Sequence, residues 1–131
     1  MNLIHIIALL AVIQFFYFGV KVGRARVQYG IKAPAVAGHE MFERAYRVQM
    51  NTLEMLVAFL PALYLAARYW PTAYVAGAGV VYLIGRVLYA RAYLTKPDSR
   101  GLGFLLSMAP VTALLLAARV GALMGRPGAA V

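Results

Sequence analysis

The chain has 131 residues, of which 63% are hydrophobic and 13% charged, against roughly 45–50% and ~25% for soluble domains. One small core cannot hide that much apolar surface, which excludes a soluble globule, a disordered chain and a polar repeat. The net charge is +9, and the absence of cysteine excludes disulfides, thiolate metal sites and a cysteine nucleophile.

The natural solvent for such a chain is a bilayer. The first apolar run begins at Leu3 and continues to Val20. At ~1.5 Å per residue it is long enough to cross. No Lys or Arg precedes Lys21, so the run lacks the basic start of a signal peptide and reads as a retained span. "KAPAVAGHE" (Lys32–Glu40) carries Pro and Gly breakers and reads as a loop. The second run, Met50 to Ala67, has polar residues at its start and Pro61 inside, where a membrane helix tolerates a kink. "YWPT" (Tyr69–Thr72) reads as a tight turn, with Tyr69 and Trp70 in an interface belt and Pro71 opening the next helix at its first position. The third run extends from Thr72 to Tyr93, and "TKPDSRG" (Thr95–Gly101) follows as a loop with Asp98 or Ser99 as cap. The fourth extends from Leu102 to Met124, leaving "RPGAAV" as a short frayed tail. The expectation is an all-α integral membrane protein, a bundle of four transmembrane helices forming one domain over 1–131, with spans at about 3–27, 42–68, 72–94 and 102–124. The length and continuity of the runs exclude a β-barrel.

The basic residues divide by side. Loops one and three, with their flanks, hold Lys21, Arg24, Arg26, Lys32, Arg44, Arg47, Arg86, Arg91, Lys96 and Arg100; the other side holds Arg68, Arg119 and Arg126. The positive-inside rule places loops one and three in the cytoplasm, which for a prokaryotic chain means the inner membrane. The same distribution removes nucleic acid as a partner, since no polar domain exists to carry a groove-reading element. His5 and His39 have no metal-ligand partner at useful spacing, so no metal is expected.

Polar residues inside the spans carry the functional signal. In "MFERAYRVQMNTLEM" (Met41–Met55), helical geometry gathers Arg44, Arg47, Asn51 and Glu54 within an arc of about 80°, with Gln49 and Thr52 elsewhere. In "VYLIGRVLYARAYLT" (Val81–Thr95), Tyr82, Arg86, Tyr89 and Tyr93 fall within about 60°. Two helices thus each offer a narrow polar face near the same end. Arginines grip carboxylates or phosphates, and a carboxylate binds an ammonium group, so the set suits a small net-anionic zwitterion. A closed ion-pair network, with Arg47 or Arg86 paired to Glu54, uses the same residues for helix packing alone. A four-span multidrug transporter has similar size, but its membrane glutamate stands in span one without arginine neighbours.

These residues carry a family resemblance. "FERAYRVQMNTLE" (Phe42–Glu54) resembles the second-helix signature Glu-Arg-x-x-Arg-x-x-x-Asn-x-x-Glu of MAPEG proteins, the membrane-associated proteins of eicosanoid and glutathione metabolism. "GRVLYARAY" (Gly85–Tyr93) and "LTKPDSRG" resemble the end of the third helix and the following loop, closest to the microsomal glutathione transferase branch, the type 3 kind in particular. The resemblance implies a homotrimer in the lipid bilayer, with glutathione as co-substrate bound between subunits near the cytoplasmic end. It implies glutathione ligands at Arg47, Gln49, Asn51, Glu54, Arg86, Tyr89, Tyr93 and Arg26, and a thiolate-stabilising role for Arg100. Met55 stands where several members have tyrosine. The implied activity is a glutathione transferase or peroxidase acting on lipophilic electrophiles or lipid hydroperoxides. A non-catalytic glutathione- or lipid-binding or scaffolding member of the same family is the alternative.

Overall fold

The structure, a computed structural model, describes residues 2–125. The frayed-tail expectation for "RPGAAV", with Arg126, lies outside the described residues. Four helices follow one another: α1 (Leu3–Tyr29), α2 (Glu40–Tyr69), α3 (Thr72–Thr95) and α4 (Gly101–Met124). Each is long and apolar enough to cross a membrane. Four helices stand where the four spans were expected; α1 runs nine residues past Val20 and α2 begins ten before Met50, because polar end turns remain helical.

The breaks are built locally. Asn2 caps α1, its Oδ1 accepting the His5 N–H at 3.1 Å. Gly30 ends α1 at φ 67°, a left-handed conformation that suits glycine. His39 caps α2, its Nδ1 accepting the Met41 N–H at 3.1 Å while its ring stacks on Tyr29 at 3.8 Å. Pro71 occupies the cap position of α3 rather than its first turn, and Thr72 is the first helical residue. The loop before α4 winds into a 3-10 turn at Pro97–Ser99. Neither Asp98 nor Ser99 caps α4; Arg100 stands at the cap position without a side-chain cap. Ser99 Oγ donates instead to the Lys96 carbonyl at 2.7 Å, so the hydroxyl serves the turn and not the helix.

In lipid, close packing takes over from the hydrophobic effect, and small residues set how closely helices approach. At Gly85 a Cβ would stand 2.6 Å from the Leu106 carbonyl carbon, and at Gly103 it would overlap the Tyr89 backbone. These two glycines bring α3 and α4 into backbone contact. The interior is filled by Ile7 and Ala11 of α1, Phe59 and Leu63 of α2, Tyr82 of α3, and Val111 and Leu114 of α4. The Phe59 and Tyr82 rings stack at 3.8 Å. Leu9, Ile13, Phe16 and Leu123 are exposed, as lipid-facing positions require. The starts of α2 and α4 and the ends of α1 and α3 lie together at one end of the bundle, called here the basic end.

Candidate functional site

Arg86 is the centre of the arrangement. It is 0% exposed, although a charged group is costly to bury in a bilayer. The closeness that Gly85 and Gly103 allow helps to seal it inside. Its Nη2 donates to Asn51 Oδ1 at 2.8 Å, joining α3 to α2. Its Nε and Nη1 are buried and have no hydrogen-bond partner among the described residues. The guanidinium carbon sits 4.4 Å from the Tyr89 ring centroid. Tyr89 stacks on Tyr93 at 5.6 Å, and the Arg100 guanidinium lies 5.8 Å over Tyr93. A ladder of Asn51, Arg86, Tyr89, Tyr93 and Arg100 thus leads from the interior to the basic end. Helical spacings of three and four residues align its α3 rungs, Arg86, Tyr89 and Tyr93.

Two clefts flank this ladder. One, of about 390 Å³, opens at the basic end and is lined by Arg47, Arg44, Glu40, Glu43, Tyr93 and Pro97. The other, of about 320 Å³, lies between α2 and α4: Asn51 and Glu54 form one wall, and Phe104, Met108, Val111 and Leu115 supply apolar lining. Arg47 and Glu54 are seven residues apart on α2, or ~10 Å of helix rise. The arrangement sets two arginines and two glutamates at one end, and a further carboxylate, Glu54, deeper beside an apolar wall.

The closed ion-pair network is not what the structure contains. Among the described residues the salt bridge is local, Arg44 with Glu40, and neither Arg47 nor Arg86 pairs with Glu54. Arg44 also donates to the carbonyls of Leu94 at 3.2 Å and Thr95 at 3.4 Å, tying the start of α2 to the end of α3. This arginine is structural, although its helix face matches that of Arg47. Arg100 Nη1 donates to the Pro97 carbonyl at 2.9 Å, which fixes it on the 3-10 turn.

Gln49 and Arg26 lie apart from this set. Gln49 packs against Gly19 of α1, where a Cβ would meet its Nε2 at 2.7 Å. Arg26 Nη1 donates to the Ala35 carbonyl at 2.7 Å, and its guanidinium rests 4.8 Å over Phe42. Thr52 also faces away from the ladder, buried with its hydroxyl donating to the Val48 carbonyl at 2.8 Å.

Sequence reasoning missed Gln14, whose Nε2 donates to the Leu83 carbonyl at 3.1 Å and ties α1 to α3. Its signal was a lone amide inside an otherwise apolar run. Phe104 and Met108 carried no signal, because apolar residues in a span are the rule.

The sequence model of the MAPEG family matches residues 4–120. The chain belongs to the MAPEG family. Relatives extend over most of its length. An uncharacterised protein of Synechocystis is 42% identical over 91% of this chain and 84% of its own. Microsomal glutathione S-transferase 2 of Homo sapiens is 34% identical over 91% of this chain and 81% of its own. Leukotriene C4 synthase of Cavia porcellus is 35% identical over 75% of this chain and 65% of its own. The MAPEG assignment agrees with the four apolar helices and with the absence of strands among the described residues. In this MAPEG chain, Arg47, Asn51, Glu54 and the Arg86 ladder share one side of the α2–α3 packing, whereas Gln49 lies against α1 and Arg26 belongs to α1, over Phe42.

Proposed function

We propose that the protein is a membrane-bound glutathione transferase, assembled as a homotrimer, that activates glutathione as a thiolate for attack on lipophilic electrophiles. The observation that carries this reading is the split site: Arg47 beside Tyr93 in a mixed-charge cleft at the basic end, with an amide, a carboxylate and an apolar wall farther in. Glutathione offers two carboxylates, one ammonium and a thiol; the site offers Arg47 to a carboxylate, Glu54 to the ammonium and Arg100 to the thiol.

Arg47 holds a carboxylate at the basic end. Glu54 holds the γ-glutamyl ammonium. Asn51, Tyr89 and Tyr93 hydrogen-bond the peptide. Arg86, being fully buried with its Nη2 on Asn51, contributes by fixing the Asn51 amide and by its positive potential. Gln49 and Arg26 complete the site of a neighbouring subunit, which is why they lie off the ladder. The basic end faces the cytoplasm, from which glutathione enters.

Arg100 stabilises the thiolate. A free thiol of pKa ≈ 8.5 is mostly protonated at pH 7, and an adjacent cation lowers that value. The thiol proton leaves to water. The sulfur then forms a C–S bond to the electrophilic carbon, and the leaving group departs with its electron pair. The electrophile arrives laterally from the bilayer against the apolar wall of Phe104 and Met108. A lipid hydroperoxide is a second substrate of the same thiolate: the sulfur attacks the terminal oxygen, the O–O bond breaks to release the lipid alcohol, and a second glutathione reduces the sulfenic acid to glutathione disulfide and water. Binding both reactants at one site supplies the proximity term.

The test is a conjugation and peroxidase assay on detergent-purified protein with glutathione and a panel of apolar electrophiles, beside an ultraviolet scan for thiolate absorbance. Turnover together with a glutathione-dependent thiolate band supports the transferase. Glutathione binding with neither signal overturns it in favour of a non-catalytic binding member of the family.

A further inference from the structure

At the end of the bundle opposite the basic end lies a cleft of about 560 Å³, lined by Asn2, His5, Tyr64, Arg68 and Thr72 among others. It is separate from the clefts already described. Arg47 and Arg68 are 21 residues apart on α2, or ~31 Å of helix rise, which is the thickness of a bilayer core. The cleft therefore sits at the level of the other membrane surface.

Its chemistry is one-sided. The four acidic residues of the chain are Glu40, Glu43, Glu54 and Asp98. None lies at this end, so Arg68 has no side-chain carboxylate within reach anywhere in the sequence. No described residue forms an ion pair with it. The first turn of α1 adds the backbone N–H groups of Leu3 and Ile4, which by position have no intrahelical acceptor. Tyr64 and Thr72 add hydroxyls, and the His5 ring lies 5.8 Å from that of Tyr64. Donors from three helices thus line one cleft with no side-chain carboxylate among its lining residues. Beside them the exposed Leu3 and Leu65 present apolar surface to the membrane.

We propose that this cleft binds the phosphate group of an anionic phospholipid headgroup, with Arg68 as its principal ligand. Arginine matches phosphate geometry through paired N–H donors. The ligand is lipid, not free phosphate, because the cleft opens at the depth of the headgroups and has apolar flanks for acyl chains. The proposal is independent of the transferase reading.

The test uses the full-length protein in neutral detergent, titrated with phosphatidylglycerol, with dioleoylglycerol, which lacks the phosphate, or with inorganic phosphate. Retained lipid is counted by native mass spectrometry, and protection is read by thermal unfolding. Wild type is expected to retain phosphatidylglycerol and to ignore dioleoylglycerol. Arg68→Gln should weaken retention by about tenfold or more, the size of a lost charged hydrogen bond. Arg68→Lys should fall between them, and Arg119→Gln, outside the cleft, should match wild type. If Arg68→Gln does not fold, Tyr64→Phe keeps the ring, removes one donor, and should weaken retention several-fold. Equal retention by wild type and Arg68→Gln, or equal retention of dioleoylglycerol, overturns the proposal. Equal protection by inorganic phosphate overturns the lipid source and reassigns the cleft to the free anion.

Discussion

Asn51 and Arg86 offer a test of the ladder that needs no substrate. Arg86 is 0% exposed, and the hydrogen bond it makes is that from Nη2 to Asn51 Oδ1 at 2.8 Å. Its other two nitrogens already lack partners among the described residues. Asn51→Ala then strands the whole guanidinium in a buried site. A hydrogen bond to a charged group is worth about 1.5–3 kcal/mol, and a group left unsatisfied carries its full desolvation cost. Asn51→Ala is therefore expected to destabilise the protein by about 2–3 kcal/mol. In an Arg86→Met background, which fills similar volume and leaves no charge, the same change should cost under ~1 kcal/mol. The double-mutant cycle should give a coupling of about 1.5–2.5 kcal/mol. The measurement is reversible unfolding in mixed detergent micelles without glutathione. Equal costs of Asn51→Ala in both backgrounds would show that the 2.8 Å contact holds nothing together, and would refute Asn51 as an anchored ligand.

Three further outcomes follow from the same geometry. Arg100→Ala should lower the conjugation rate by ten- to a hundredfold with glutathione affinity little changed, matching one to two pKa units of thiol depression at about 1.4 kcal/mol each. A depressed thiol pKa gives activity at lower pH, so the rising limb of kcat/KM for Arg100→Ala should move up by about one to two pH units toward the free-thiol value; an unmoved limb removes Arg100 from thiolate stabilisation. Glu54→Gln should weaken glutathione binding about tenfold or more by losing the ammonium partner, read by equilibrium titration, and unchanged affinity would sink that role. Gly103→Ala, whose Cβ would overlap the Tyr89 backbone, should cost about 1–3 kcal/mol of stability and disturb the ladder. Gly77→Ala, with open space around it, should cost nothing, and equal thermal stability of the two variants would disprove the close α3–α4 approach.

Much of the architecture was legible in composition and spacing. Unbroken apolar runs identify spans because a bilayer demands length and internally satisfied backbone. The helical spacing that placed Arg47, Asn51 and Glu54 on one face, with Gln49 and Thr52 off it, matches their positions in the structure. Periodicity could not separate the roles of residues that share a face. Arg44 and Arg47 looked equivalent, yet Arg44 turned out to bind Glu40 and the last carbonyls of α3. That difference depends on where another helix ends, which no spacing within α2 encodes.

Burial followed the same division. From sequence, Arg86 was one polar residue on a stripe, and its charge could have faced a ligand, water or an ion pair. Packing decided otherwise: Gly85 and Gly103 let α3 and α4 close up, and the arginine was sealed inside against Asn51 and Tyr89. The cap of α4 went the same way, since a local turn outcompeted the expected Asp98 or Ser99. The sequence by itself determined the solvent, the number of spans and the faces on which charge would lie, because those depend on hydropathy and helical period alone. Only the tertiary structure decided which charges are structural, which is buried, and which line the clefts, because those follow from contacts between residues far apart in the chain.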